Sequence, residues 1–125
     1  MEKTIISYYS NFHGPVLYIG AKSMEFLIRM RDAVACLKDG DAVCIKFHQF
    51  TNIEISGFCT FLLVKVERDI DTYTKICNGS DIVWAQTNRG LERTLHLIDY
   101  MIKSNTSGHQ LLDEDELLIE LSYKE

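Results

Sequence analysis

Apolar residues recur at helical spacing in two stretches of the chain. The first stretch runs from Ser23 to Lys38, where Ser23 can cap the helix start and Asp39-Gly40 ends the run. The second runs from Asn88, a candidate cap, to Lys103. The apolar positions of the two stripes are Leu27, Met30, Val34 and Leu37, followed by Leu91, Leu95, Ile98 and Ile102. The pattern predicts two amphipathic helices.

Strand patterns occupy most of the remaining sequence, as β-branched and aromatic runs or as alternation of apolar and polar residues. The predicted strands are Lys3 to Tyr9, Val16 to Ile19, Ala42 to Phe50, Phe58 to Glu67, Thr72 to Cys77, Asp81 to Gln86 and Leu117 to Tyr123. In the third, Val43, Ile45 and Phe47 should point inward. The dipeptide Asn78-Gly79 supplies the positive backbone angles of a tight hairpin turn.

The order of these elements predicts an α+β fold. We expect a mostly antiparallel sheet of six to seven strands with both helices on one face, because each apolar helix stripe needs an apolar sheet face to cover it. Trp84 should lie in the core beneath the second helix. No Gly/Ser-rich linker divides the chain, so residues 1–125 should form a single domain.

The two halves of the chain, 1–68 and 69–125, have similar element orders. Val16 to Ile19 before the first helix corresponds to Ile82 to Ala85 before the second. This echo is compatible with an internal duplication, but an α+β domain of this size also produces such an echo by chance.

Composition is that of an ordinary globular domain. The chain has 125 residues, 46% of them hydrophobic and 25% charged, and this length supports a core without disulfides or a structural metal. The longest nearly apolar stretch, Phe58 to Val64, is far shorter than the roughly 20 residues that span a bilayer. Met1-Glu2-Lys3 leads into a strand pattern rather than a signal-peptide core. We therefore expect a cytoplasmic protein that does not contact membranes.

The cysteines and histidines lack the spacing of metal or redox motifs. Zinc and redox motifs place two thiols about two to four residues apart, whereas the cysteines here lie 8, 15 and 18 positions apart. All four cysteines have apolar neighbours, which predicts buried, reduced thiols. The cysteines are Cys36, Cys44, Cys59 and Cys77, and the histidines are His13, His48, His96 and His109. We predict no metal site, no cofactor and no catalytic residue, and the chain is not expected to be an enzyme.

A pocket at the end of the sheet is the alternative hypothesis. The strand-to-helix turn from Gln86 to Gly90 can offer backbone amides and Arg89 to an anion. Cys44 and His48 can form a nucleophile pair if the fold brings them together. On this hypothesis the chain is a small ligand-binding or enzymatic domain with its site near these residues, although no phosphate-binding glycine motif occurs.

Acidic side chains are concentrated in the second half. Residues 1–80 carry nine acidic and nine basic side chains, whereas residues 81–125 carry nine acidic and four basic ones, so the entire net charge of −5 arises there. One acidic cluster lies on a predicted loop before the last strand, and a smaller one lies on the turn before Thr72. Acidic surfaces repel nucleic acids and attract basic proteins. The predicted partner-binding residues are Asp113, Glu114, Asp115, Glu116, Glu120, Asp69 and Asp71.

Two stretches of the second half carry a resemblance to a known class of proteins. They are Ile82-Val83-Trp84 leading into Thr87-Asn88-Arg89-Gly90-Leu91, and Gly108-His109-Gln110-Leu111-Leu112-Asp113 leading into Glu116-Leu117-Leu118-Ile119-Glu120-Leu121. With the small acidic domain, they resemble the bacterial immunity proteins of contact-dependent inhibition and related polymorphic toxin systems. The resemblance covers about a third of the chain and transfers no individual binding residue. It implies stoichiometric inhibition of a cognate toxin, a nuclease or similar enzyme, by masking its active site or an exosite.

The last predicted strand supports a third hypothesis. Leu117 to Tyr123 alternates as an edge strand does, so two copies of the chain can pair there to form a structural homodimer. Glu120 and the acidic residues before it oppose such pairing. The sequence leaves the oligomeric state open.

Overall fold

The computed structural model describes residues 3–114 and 116–124 and has the predicted α+β architecture. The helices are α1 (Met24–Asp39) and α2 (Asn88–Ser104), and 3-10 turns cover Phe47–Gln49 and Asp69–Asp71. The strands are β1 (Thr4–Asn11), β2 (Gly14–Ala21), β3 (Cys44–Lys46), β4 (Ile53–Ser56), β5 (Thr60–Lys65), β6 (Tyr73–Cys77), β7 (Asp81–Gln86), β8 (Gly108–Glu114) and β9 (Leu118–Tyr123). The prediction of six to seven strands missed β4 and β8.

The strands form two sheets, so the prediction of one sheet is wrong. The order is β4-β1-β2-β9-β8 in the larger sheet and β3-β5-β7-β6 in the smaller one. Antiparallel pairs still predominate, but β1 with β4, β2 with β9 and β5 with β7 are parallel. Alternation along a strand shows which side chains share a face, but it does not show which strand lies alongside.

Each sheet combines strands from both halves of the chain. The β1-β2 hairpin continues into β9 and β8, and the β6-β7 hairpin continues in the same manner into β5 and β3. In each half, the two strands before the helix start one sheet. The helix then leads to the other sheet, which the strands after the helix complete. Within the described residues, β4 on the outer edge of β1 is the one strand without a counterpart. The two halves are interleaved, and their common origin stays a prediction.

The final strand lies inside its sheet. Strand β9 is hydrogen-bonded to β2 on one side and to β8 on the other. The hypothesis that this strand is a free edge for pairing two copies is therefore wrong. As predicted, its alternate side chains Ile119, Leu121 and Tyr123 are buried, and so is Leu117 directly before the strand.

Both helices begin and end within a residue or so of the predicted positions. The side chain of Ser23 accepts a first-turn backbone N–H at 3.3 Å, and Gly40 ends α1 with a φ of 86°. In α2 the cap is Thr87, which accepts the N–H of Gly90 at 3.3 Å, rather than Asn88. Neither helix is long and apolar enough to cross a bilayer.

One core joins both sheets and both helices, and aromatic rings lie at its centre. Phe61 on β5 stacks on Phe47 at 4.6 Å between ring centroids and lies 6.4 Å from Trp84 at an angle of 14°. All three rings are fully buried, as predicted for Trp84. The helices meet each other as well, and Arg31 on α1 approaches Asp99 on α2 at 3.8 Å.

The segment from Ala42 to Phe50 is only partly extended. Its strand covers Cys44–Lys46 and gives way to the 3-10 turn Phe47–Gln49. Ile45 and Phe47 are buried as predicted, but Val43 is 91% exposed. The alternation of side chains therefore identified the inward face from Ile45 to Phe47, but not at Val43, which precedes the strand.

The cysteines are less buried than predicted. Cys36 and Cys59 are exposed, and Cys44 and Cys77 are half-buried, all with free thiols. The apolar sequence neighbours misled the prediction because consecutive residues of a strand point to opposite faces. Cys44, for example, lies next to the buried Ile45 but on the other side of β3.

A tight contact at Gly57 gives a testable prediction about the β1-β4 pair. Gly57 follows β4 with a φ of 85°, and an added Cβ would collide with the carbonyl oxygen of Tyr8 on β1. We expect Gly57→Ala to lower the free energy of unfolding by about 2 kcal/mol, because the left-handed backbone disfavours alanine and the collision adds strain. The matched control is Gly108→Ala, where nothing lies within 4 Å of the added atom. Equal stability of the two variants in urea denaturation would contradict the prediction.

Candidate protein-binding surface

The predicted partner-binding residues occupy four different environments. Asp69 and Asp71 lie on the second 3-10 turn, Glu114 ends β8 and Glu116 lies in the bend that follows. Asp113 precedes Glu114 on β8, and Glu120 lies on β9. Asp115 lies outside the described residues. The prediction that residues 113 and 114 belong to a loop is wrong, because both belong to a strand.

The structure brings the two acidic clusters together at one cavity. This cavity has a volume of about 870 Å³, and Glu67 and Asp71 line it from one side while Glu116 lines it from another. The other lining residues are Val66, Arg68, Ile70, Thr72, Tyr73 and Lys75. Glu67 and Glu116 are 49 positions apart in the sequence, so only the fold could reveal that they share a surface. Asp69 lies on the same turn but does not line the cavity.

Two smaller cavities continue this recess toward the tip of the β1-β2 hairpin. A cavity of about 210 Å³ is lined by Tyr8, Pro15, Thr74, Lys75, Ile76, Glu116 and Leu117. A cavity of about 320 Å³ is lined by Asn11, His13, Pro15, Val16, Glu114, Glu116 and Leu118. Glu116 lines all three cavities, and we refer to the three together as the Glu116 groove.

Negative charge in the Glu116 groove is only partly balanced. Arg68 approaches Asp71 at 3.3 Å, but Arg68 is exposed and Asp71 is only half-buried, so this pair stabilises the fold little. The ammonium of Lys75 lies 4.8 Å from the ring centre of Tyr73. Among the described residues, no salt bridge joins Glu67, Glu114 or Glu116 to a basic side chain. The groove can therefore attract a cationic ligand.

Exposed apolar side chains lie at both ends of the Glu116 groove. Ile70 lines the largest cavity and is 82% exposed. Phe12 is 97% exposed and lies between Asn11 and His13, which line the cavity at the other end. Protein interfaces typically combine apolar anchor residues with charges that orient the partner. This combination suits a protein ligand better than a small ion.

Asp113 has an internal role instead. Its Oδ2 accepts hydrogen bonds from Gln86 Nε2 at 2.7 Å, Trp84 Nε1 at 2.9 Å and Thr74 Oγ1 at 3.2 Å. All three donors are buried and belong to the smaller sheet, whereas Asp113 belongs to the larger one. The β8-β9 register shifts between Leu111 and Asp113, as at a β-bulge. A β-bulge changes the direction in which a side chain points. The sequence shows no signal for this contact.

Glu120 is separate from the groove as well. It is half-buried on β9, where it lies opposite Tyr18 on β2 and Leu111 on β8. It lines none of the three cavities of the Glu116 groove. The groove therefore unites Asp71, Glu114 and Glu116 from the predicted set and adds Glu67, the last residue of the predicted strand Phe58 to Glu67.

The residues of the alternative pocket hypothesis have structural contacts. Gln86 donates to Asp113, and Thr87 caps α2. His48 accepts the backbone N–H of Phe61 through Nδ1 at 3.2 Å. A separate cavity of about 370 Å³ is lined by Cys36, Cys44 and their neighbours, but not by His48 or Arg89. No group of three or more metal-ligating side chains occurs within the described ranges.

Comparisons with known proteins find no relative of this chain. No family model, no curated protein and no solved structure matches it. The functional proposal therefore depends on the residues and geometry of the chain itself.

Proposed function

We propose that this protein binds and neutralises a cognate toxin through the Glu116 groove, as a stoichiometric inhibitor with no catalytic activity of its own. The partner presents a basic surface, as many nucleases do because they bind nucleic acid. The observation that carries the proposal is the meeting of Glu67, Asp71 and Glu116 at one cavity of about 870 Å³. The resemblance to immunity proteins in the sequence points in the same direction.

The physical basis of such inhibition is charge complementarity. A negative groove accelerates encounter with a positive surface and disfavours acidic partners. Ile70 at one end of the groove offers apolar area that a bound partner can bury. A toxin held in this way is blocked whether the covered surface is its active site or an adjacent exosite.

Matched charge variants test this proposal. The groove variant combines Glu67→Gln, Asp71→Asn and Glu116→Gln, and the control variant combines Asp41→Asn, Glu54→Gln and Glu92→Gln at exposed positions outside the groove. Both sets remove three negative charges. We expect the groove variant to bind its partner about tenfold more slowly and with a weaker dependence on salt, and the control variant to bind nearly as the wild type does.

The experiment captures partners on the tagged wild-type chain from a bacterial lysate and measures binding and partner activity with all three proteins. Stoichiometric binding that inhibits the captured partner, and that weakens only in the groove variant, supports the proposal. Equal binding by the groove and control variants would remove the Glu116 groove from the interface. Capture of a small molecule in place of a protein would favour the alternative function, a ligand-binding or enzymatic domain.

A further inference from the structure

The outer edge of β6 is open, whereas the equivalent edge of the other sheet is covered. Strands β1 and β6 begin the two halves and occupy corresponding positions in the two sheets. On β1 this edge pairs with β4 in parallel, from Thr4 opposite Ile53 to Ser7 opposite Ser56. On β6 the described chain provides no strand at that position. The fold thus contains one filled and one unfilled site for an added strand.

Open space lies along the free edge of β6. The 210 Å³ cavity is lined by three consecutive residues of the strand, Thr74, Lys75 and Ile76. Consecutive side chains point to opposite faces of a sheet, so a cavity that touches all three lies beside the strand rather than above one face. The 870 Å³ cavity extends this space past Tyr73.

We propose that an extended, lysine- or arginine-bearing segment of the partner protein adds to the free edge of β6, in the position that β4 occupies on β1. Backbone hydrogen bonds to β6 would supply affinity, as in other complexes formed by strand addition. Glu67, Asp71 and Glu116 line the same groove and would select basic side chains on the added strand. This inference rests on the proposed function and specifies how the partner is recognised.

The other sheet edges are less suited to a basic strand. β3 is three residues long, and the cavity beside it is bounded by Ala33 and Cys36 of α1 and lined by no acidic side chain. On β8, the carbonyl oxygen of Leu112 accepts a hydrogen bond from Arg93 of α2 at 2.9 Å. β4 is four residues long and carries a single acidic side chain. β8 is also an edge strand, and Glu114 at its end lines the Glu116 groove. Among the described edge strands, however, only β6 lines the groove with consecutive residues, from Tyr73 to Ile76.

Amide hydrogen exchange of the ¹⁵N-labelled chain tests the inference. The probe is a blocked peptide of about seven residues that alternates lysine and valine, added to saturation at low salt. We expect exchange of the outward-facing amides in residues 73–77 to slow at least about tenfold, because they gain hydrogen-bond partners. The amides of β4, an edge strand of the other sheet, should exchange at their original rate.

Two control peptides separate strand addition from charge attraction. The first carries N-methyl groups on alternate backbone nitrogens, which preserves every charge but removes the donors along one edge. The second replaces lysine by glutamate and should not bind. Protection of β6 by the plain peptide, and not by either control, supports the inference.

Strand addition would be overturned by equal protection with the plain and methylated peptides, by spectral shifts around Glu116 without protection of β6, or by the absence of binding. Concentration-dependent protection of β6 in the protein alone would also overturn it, because a second copy would then occupy the edge. None of these results decides the proposed function, which the matched charge variants and the captured partner test separately.

Discussion

Replacing Asp113 by alanine should destabilise the fold by about 3 kcal/mol. Hydrogen bonds to a charged acceptor contribute more than neutral ones, and the variant leaves buried donors without a partner. The donors are the side chains of Trp84, Gln86 and Thr74, which are at most 8% exposed. Chemical denaturation followed by tryptophan fluorescence measures the loss, and a melting temperature lower by about 10 °C should accompany it.

Glu114→Ala is the matched control for Asp113→Ala. Glu114 is the next residue along β8 and is exposed, so its replacement should change stability by less than about 0.5 kcal/mol. Asp113→Asn should fall between the two, because the amide keeps one acceptor oxygen but loses the charge. If Asp113→Ala and Glu114→Ala were equally stable, the three hydrogen bonds would not hold the two sheets together.

The internal role of Asp113 matters for any experiment that tests the acidic surface. Neutralising residues 113 to 116 together would remove an internal contact along with the groove charge. A loss of binding would then reflect damage to the fold as well as lost attraction. Substitutions at Glu116, Asp71 and Glu67 test the groove and leave the hydrogen bonds of Asp113 in place.

Replacing Phe61 by alanine should lower the free energy of unfolding by about 3 to 5 kcal/mol, the usual range for a buried aromatic residue. Phe61 is fully buried on a central strand and lies between Phe47 and Trp84. The cavity left behind would remove ring contacts on both sides. Because domains of this size are stable by only about 5 to 15 kcal/mol, a large share of the variant should be unfolded in modest denaturant.

Phe12→Ala is the control for Phe61→Ala, because the residue type is the same and Phe12 is 97% exposed. Its urea midpoint should match that of the wild type. Near-equal midpoints for the two variants would mean that the stacked rings contribute little to the core.

The elements that local chemistry specifies could be predicted from the sequence. The stripes of both helices, the cap Ser23 and the ending at Gly40 all act within a few residues of each other. The Asn78-Gly79 turn is equally local, and both residues have the positive φ angles that were predicted. Such signals depend on the backbone conformation of a short segment, which the residues in that segment largely determine.

The similarity between the two halves shows where prediction from short sequence segments fails. The sequence pattern aligns Val16 to Ile19 with Ile82 to Ala85. In the fold, however, the buried Leu17 and Ile19 correspond to the buried Ile82 and Trp84, which shifts that alignment by one residue. A shift of one residue exchanges the two faces of a strand. The pairing of each strand, and not its own pattern, determines the correspondence.

By itself, the sequence determined an acidic α+β domain, its two helices and most of its strands, because apolar periodicity and capping act over short distances. Only the tertiary structure decided that the strands divide into two interleaved sheets and that β6 keeps an open edge. It alone separated Asp113, which joins the sheets, from Glu116, which lines the groove with Glu67 and Asp71. Neighbouring acidic residues look alike in a sequence, and the direction in which each points is decided by strand pairing between distant segments.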